Sequence, residues 1–247
     1  MMKGLDQYIS MHFKMVERQL GAIVGLHCIL LMGALNPDGR NSFAYVCIAV
    51  AALQVFILFR ALRKTCYSSL FGREAAFFQS VPVPAGTVAV GKIFFSGTLI
   101  LLTVLPAMVF LTKIIRWNDA ANPLALGIGF LRYYGFSATF APEYNTMLFL
   151  QIVSGAFTVP AVMLLLIALT GTNAIGRCSV NLWIISGIMI AGIILMIATN
   201  LLPHLLLPGT AIHSPAVIPA VCLALNLILL AGTSRGSLRL LEKRDQL

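Results

Sequence analysis

One stretch of the chain has the residues of a phosphate-binding loop. Residues 86–92 read GTVAVGK and match the first seven positions of the pattern G-x-x-x-x-G-K. In that loop a Ser or Thr hydroxyl at the eighth position reaches the magnesium ion. The eighth residue here is Ile93, no apolar strand leads into the stretch, and an uncharged run follows it. We therefore predict no nucleotide site in this chain, and we expect Gly91 and Lys92 to mark where a loop enters the apolar run.

The other residues with reactive or metal-binding side chains do not form a recognisable motif. The five cysteines have no metal-ligand spacing, and His204 and His213 come without a third ligand. No HExxH motif and no Ser–His–Asp pattern occurs in the sequence. Three polar residues inside the apolar runs, His27, Gln151 and Asn226, stand apart from one another. We expect His27 to be neutral and hydrogen-bonded to a neighbour, and we predict no catalytic, cofactor or metal site.

The spacing of charges predicts the elements that surround these residues. Of 247 residues 59% are hydrophobic and 10% are charged, whereas a soluble domain carries roughly 25% charged residues. No Asp, Glu, Lys or Arg occurs in residues 19–37, 41–59, 93–112, 144–176 or 178–234. About 20 apolar residues in a helix cross a bilayer, and the last stretch has room for two such helices. The fold class is therefore an all-α integral membrane protein with six transmembrane helices, near residues 21–35, 43–59, 93–111, 147–169, 180–199 and 216–231.

The distribution of lysine and arginine predicts the orientation of these spans. If both termini are cytoplasmic, 13 of the 17 basic residues lie inside, and only Arg40, Lys113, Arg116 and Arg132 lie outside. The positive-inside rule favours this orientation. The net charge of +9 is then a property of membrane orientation, and it does not indicate a nucleic-acid partner. We expect Lys92 to extend towards the lipid headgroups at the inner surface.

Three connecting segments have their own patterns. Residues 5–20 place Leu5, Ile9, Phe13, Val16 and Leu20 on one helical face, which predicts an amphipathic helix lying in the headgroup layer. The alternative is that these residues continue the first span as one long helix. Residues 118–146 form a long outer connection rich in aromatic side chains, and residues 200–215 are apolar but broken by prolines. The broken stretch predicts two short helices that dip into the outer leaflet.

The inner segment between the second and third spans carries the candidate binding residues. Residues 69–80 predict a short helix with large apolar side chains beside a charged pair, and the residues before Pro82 and Pro84 end it. An apolar anchor flanked by charge is what docking into a groove of a soluble protein requires. The predicted docking residues are Leu70, Phe71, Gly72, Arg73, Glu74, Phe77, Phe78 and Gln79.

The same residues carry a resemblance to a known family. The pattern F-G-R-E-x-x-x-x-x-S-x-P-V from Phe71 to Val83, leading to Gly91-Lys92, resembles the permease subunits of type-2 (ABC-2-like) ABC exporters. In that resemblance residues 1–20 correspond to an elbow helix, residues 60–92 to a cytoplasmic coupling segment, and residues 200–215 to re-entrant outer helices before span six. Residues 232–247 correspond to a short basic cytoplasmic tail, and the whole chain, 1–247, is one permease domain.

The resemblance implies a function and partners. It implies a multi-pass subunit of the cytoplasmic membrane that exports a hydrophobic or amphipathic substrate. The implied partners are a soluble ABC ATPase subunit, which would bind ATP and magnesium, and a second permease copy or paralogue. No span contains a carboxylate, so we do not expect ion-driven transport. The alternatives are a non-transporting ABC membrane subunit for immunity or sensing, and an intramembrane enzyme, which would need a polar constellation inside the spans.

Overall fold

The computed structural model describes residues 5–35, 41–71, 84–117, 142–171, 194 and 217–245. Five long helices occupy these ranges: α1 (Leu5–Leu35), α2 (Asn41–Arg63), α3 (Ala85–Trp117), α4 (Pro142–Gly171) and α5 (Val217–Asp245). α2 continues through a π-helical turn, Lys64–Ser68, into a last helical turn, Ser69–Phe71. The described part of the chain has no strand, which confirms the all-α class.

Each long helix contains a stretch that is long and apolar enough to cross a membrane. The stretches are Asp6–Leu35, Tyr45–Ser68, Ala85–Phe110, Thr146–Leu169 and Val217–Glu242. They coincide with the first, second, third, fourth and sixth predicted spans, and large apolar side chains such as Met32, Phe56 and Ile228 are exposed on their outer faces. By length and composition, these helices are consistent with a multi-pass membrane protein. The fifth predicted span, the proline-broken stretch and most of the outer connection lie outside the described residues.

Residues 5–20 and the first predicted span form one continuous helix. α1 has 31 residues, so it is about 46 Å long and exceeds the hydrocarbon thickness of a bilayer. Its buried stripe is Tyr8, His12, Val16, Ile23 and Leu30. The predicted apolar face is confirmed in part: Val16 is buried and Ile9 and Leu20 pack against the core, but Phe13 is 52% exposed. The alternative of a single long helix describes this region, and its N-terminal part packs on the bundle.

α3 is the central helix, since it contacts each of the other four long helices. It begins at Ala85, so the expectation of a loop at residues 86–92 is wrong. Helical backbone is incompatible with a phosphate-binding loop, which needs consecutive amides turned towards the ligand. Pro106 lies inside α3 and Pro160 inside α4, as membrane helices tolerate. The predicted tail from residue 232 is likewise helical, because α5 continues to Asp245.

Close packing joins α3 to α4. A Cβ added to Gly97 would lie 2.3 Å from a ring carbon of Phe157, so the two helices approach closely only because Gly97 has no side chain. Phe157 also stacks on Phe94, with ring centroids 6.2 Å apart. Small residues at helix contacts are the usual means of close packing in membranes, where the hydrophobic effect does not drive helices together.

The directions of the first four helices follow from residues in contact. α2 runs antiparallel to α1, α3 runs parallel to α1, and α4 runs antiparallel to α3. For α1 and α2 the contacts are Ile23 with Gln54 and Met15 with Lys64. For α1 and α3 they are Tyr8 with Lys92 and His27 with Thr103. For α3 and α4 they are Gly97 with Phe157 and Ala89 with Leu164.

α4 and α5 run in the same direction. The amide of Asn226 donates to Ser154 Oγ at 3.4 Å, and a Cβ on Gly236 would lie 2.9 Å from the side chain of Leu165. Residue numbers therefore rise together along the two helices. The end of α4 therefore lies at the same end of the bundle as the end of α5, the start of α1, the end of α2 and the start of α3. We call this end the inner end, after the inner segment that leaves α2 there.

Candidate functional site

The end of α2 departs from α-helical geometry just before the predicted docking residues. In the turn Lys64–Ser68 the backbone N–H of Ser69 donates to Lys64 O, five residues back. In an α-helix the same N–H would donate to Thr65 O. π-helical turns are rare and occur frequently at functional sites. The turn places Thr65, Cys66 and Ser69 in the interior of the bundle, where each is at most 1% exposed.

Lys92 fills the space beside this turn. Its Nζ donates to Thr65 O at 2.7 Å and to Ser69 Oγ, and its side chain is only 1% exposed. The expectation that Lys92 extends to the headgroups is therefore wrong. Lys92 lies about two turns inside α3, and its side chain reaches the end of α2, where it finds backbone and hydroxyl acceptors.

Hydroxyl and thiol groups extend the polar contact between α2 and α3. Ser69 Oγ donates to Thr65 O at 2.6 Å, and Thr65 Oγ1 lies 3.1 Å from Ser96 Oγ. The sulfur of Cys66 lies 3.5 Å from the same Ser96 hydroxyl. Polar groups withdrawn from water in this way are stable only because they satisfy one another.

α1 closes the cluster with two rings. The Tyr8 and His12 rings meet edge to face with centroids 4.6 Å apart, and His12 stacks on Phe95 at 5.6 Å. Lys92 Nζ lies 5.9 Å from the centroid of the Tyr8 ring, which is within the range of a cation–π interaction. We call Tyr8, His12, Thr65, Cys66, Ser69, Lys92 and Ser96 the Lys92 cluster.

An apolar cluster beside it brings in the remaining two helices. Leu70 packs with Ala89 of α3, Leu164 of α4 and Leu241 of α5. Leu70, one of the predicted docking residues, is 6% exposed and packs within the chain. The polar and apolar clusters together join all five long helices where the inner segment leaves α2, and we call this region the root of the inner segment.

The geometry of the Lys92 cluster fits positioning better than catalysis. A Ser–Lys nucleophile needs an amine that takes the proton of the hydroxyl. Ser69 instead gives its proton to Thr65 O and accepts a hydrogen bond from Lys92. Within the described residues no group of three or more His, Cys, Asp or Glu side chains has the arrangement of a metal site. The cluster therefore holds helices in register, and the intramembrane-enzyme alternative gains no support from it.

The polar residues that stood apart in the sequence have partners in space. His27 Nε2 donates to Thr103 O at 3.1 Å, which confirms the predicted hydrogen bond. Asn226 Nδ2 donates to Ser154 Oγ and lies 3.5 Å from Gln151 O. The interpretation of Gln151 and Asn226 as isolated groups is wrong, because the parallel packing of α4 and α5 brings them together.

The other predicted docking residues fall beyond what the structure describes. Gly72, Arg73, Glu74, Phe77, Phe78 and Gln79 lie outside the described residues, and only the backbone of Phe71 is described. The residues that hold the root were not predicted from the sequence. A signal for them exists: Thr65 with Ser69, and Lys92 with Ser96, are each four residues apart, which places two hydroxyl-bearing pairs on single helix faces.

A comparison of the chain with family models, with curated proteins and with solved structures finds no match. The functional argument therefore rests on the residues and their geometry.

Proposed function

We propose that this chain is the membrane-spanning permease subunit of an ATP-driven exporter of the type-2 ABC class. The observation that carries the proposal is the root of the inner segment, where all five long helices meet. A soluble ATPase would dock on the inner segment at the predicted docking residues, which include Arg73 and Glu74. The family pattern in the sequence indicates that the partner is an ATPase. The contacts of the root connect the inner segment to all five long helices.

The root explains how movement at the inner segment would reach the membrane helices. Lys92 ties the end of α2 to the start of α3, and Leu70 ties the same end to α4 and α5. Packed helices respond to displacement as discrete units because a close-packed core does not deform continuously. A partner that shifts residues 72–83 therefore displaces the inner ends of several helices together, which is the motion that alternating access requires.

We also propose that the chain crosses the membrane six times. The parallel packing of α4 and α5 supports this count, since α4 ends at the inner end and α5 begins at the outer end. The connection 172–216 must then pass from one end to the other, and residues 180–199 are the uncharged stretch long enough to do so. With this crossing both termini lie on the same side of the membrane.

The charges of the described helices favour a cytoplasmic position for the inner end. Basic residues that lie at this end are Lys14, Arg18, Arg60, Arg63, Lys64, Arg235 and Arg239. Cytoplasmic segments next to membrane spans carry such an excess of Lys and Arg. The energy source would be ATP bound with magnesium in the partner, and an uncharged pathway suits a hydrophobic or amphipathic substrate.

The proposal is tested by purifying the full chain with an affinity tag, in mild detergent, from cells that encode it. We expect Mg·ATP hydrolysis to co-purify, and photolabelling with 8-azido-ATP to mark a separate polypeptide. The test variant is Arg73→Ala with Glu74→Ala, which should reduce the amount of the labelled polypeptide that co-purifies with the chain. An absence of ATP hydrolysis, or labelling of this chain itself, contradicts the proposal.

A further inference from the structure

We propose that the end of α2 is a two-state switch, in which Lys92 holds the π-helical register. The carbonyl oxygen of Thr65 is the group for which the two states compete. In the observed state it accepts from Lys92 Nζ and from Ser69 Oγ, while the Ser69 N–H donates to Lys64 O. In the α-helical register the Ser69 N–H would donate to Thr65 O instead.

The two registers differ in where they place the residues that follow. A π-helical turn holds one more residue than an α-helical turn. A change from the π-helical to the α-helical register therefore rotates the following chain by about 100° around the helix axis and shifts it by about 1.5 Å along the axis. Leu70, which now packs among Ala89, Leu164 and Leu241, would leave this cluster. The switch would therefore change the direction in which the chain leaves α2 at Phe71.

The contacts of the cluster show why Lys92 decides between the registers. Ser96 supports the π state through Thr65 Oγ1 and Cys66 Sγ, but neither contact involves the backbone atom that changes partner. Lys92 contacts both that carbonyl oxygen and the Ser69 hydroxyl. Removing the ammonium group therefore removes a donor that only the π register uses, and it leaves the α-helical bond as the better option for Thr65 O.

Lys64 provides the matched control. Its Nζ donates to a backbone carbonyl as Lys92 does, but the acceptor is Met15 O on α1 at 3.4 Å. Lys64 belongs to the π-helical turn itself. Loss of Lys64 therefore removes a lysine–carbonyl hydrogen bond from this end of the bundle without freeing Thr65 O.

The switch is tested by the maleimide reactivity of a cysteine at position 70. In the full chain with its native cysteines replaced, Cys66 by serine so that a polar group stays beside Ser96, Leu70→Cys is buried in the π register and turns outward in the α register. We expect Lys92→Met to raise its rate of modification by N-ethylmaleimide at least tenfold, and Lys64→Met to leave the rate within twofold. Lys92→Arg, which keeps a donor, should fall between them. Equal rates with Lys92→Met and the parent chain would overturn the proposal.

A second reporter separates the switch from general unfolding. A chain that retains only Cys222, which is fully buried in α5, should stay unreactive when Lys92→Met is introduced. Modification of Cys222 at the same rate as of Leu70→Cys would also overturn the proposal, because the substitution would then have opened the whole bundle.

The switch itself does not depend on an ATPase, but its control by docking rests on the proposed function. One outcome is that Lys92→Met raises the rate at which Leu70→Cys is modified while addition of the co-purified ATPase with Mg·ATP leaves that rate unchanged. In that case the switch stands and the proposed coupling fails. A response to both supports both.

Discussion

Lys92 and Thr65 lie 27 residues apart in the sequence, and the ammonium group of the first donates a hydrogen bond of 2.7 Å to the carbonyl oxygen of the second. This contact joins the last turn of α2 to the first turns of α3 on both sides of the inner segment. It also explains how a lysine is accommodated in the interior of a bundle of apolar helices, since charged groups inside membrane proteins pair with backbone carbonyls.

The first prediction concerns the stability that this contact provides. Lys92→Ala removes a buried side chain together with two hydrogen bonds, and we expect it to lower the free energy of unfolding by about 2–4 kcal/mol. Lys64→Ala, at a partly exposed site, should cost less than about 1 kcal/mol. Denaturant titration of the detergent-solubilised chain measures both values. Equal losses for the two lysines would mean that burial at the root has no special role.

The second prediction concerns the close contact of α3 with α4. Gly97→Ala places a methyl group against the Phe157 ring, and we expect a loss of about 1–3 kcal/mol from overpacking. Gly21 of α1 has open space around a Cβ, so Gly21→Ala should be neutral or stabilise by up to about 1 kcal/mol. Adding Phe157→Leu to Gly97→Ala should restore part of the loss. A Gly97→Ala variant as stable as the parent chain would contradict the close packing.

The third prediction concerns the polar pair between α4 and α5. Asn226→Ala and Ser154→Ala should show a coupling energy of about 0.5–1.5 kcal/mol in a double-mutant cycle, as hydrogen bonds between membrane helices do. The control cycle pairs Asn226→Ala with Ser96→Ala, which belongs to the Lys92 cluster, and should show none. Additive effects in the first cycle would show that the Asn226–Ser154 hydrogen bond does not form in solution.

Much of this architecture was predictable from the sequence, but the root was not. Charge-free stretches predict helices because a membrane span needs only length and apolarity, and five of the six predicted spans coincide with long helices of the described residues. The helices are longer than predicted, since charged residues such as Arg60 and Arg239 stay helical beyond the apolar stretch. The burial of Lys92 depends on which side of α3 faces α2, and that follows from packing of the whole bundle.

The π-helical turn also could not be read from the sequence. KTCYS has no residue that forbids an α-helix, and the side chains that contact the turn, Lys92 and Ser96, follow about 30 residues later. Among the docking residues, by contrast, a sequence pattern is visible but has two structural meanings. Leu70 is a large apolar side chain close to a charged pair in the sequence, and that description fits a buried anchor as well as an exposed one.

The fourth prediction concerns the crossing between α4 and α5. In a chain without native cysteines, Gly171→Cys at the end of α4 and Val217→Cys at the start of α5 should react with a membrane-impermeant maleimide from opposite sides of sealed vesicles. The parallel direction of the two helices requires this result, because the connection begins at one end of the bundle and finishes at the other. Reaction of both positions from the same side would contradict the six-span topology.

The measurement that tests the central claim most directly is ATP turnover by the co-purified ATPase in vesicles, with and without docking residues on this chain. We predict that the chain with Arg73→Ala and Glu74→Ala inserts normally but no longer alters the rate of Mg·ATP hydrolysis, whereas the parent chain changes it severalfold. Arg40→Ala, on the predicted outer side, is the matched control and should behave as the parent. Unchanged stimulation by the double variant would contradict docking at the inner segment.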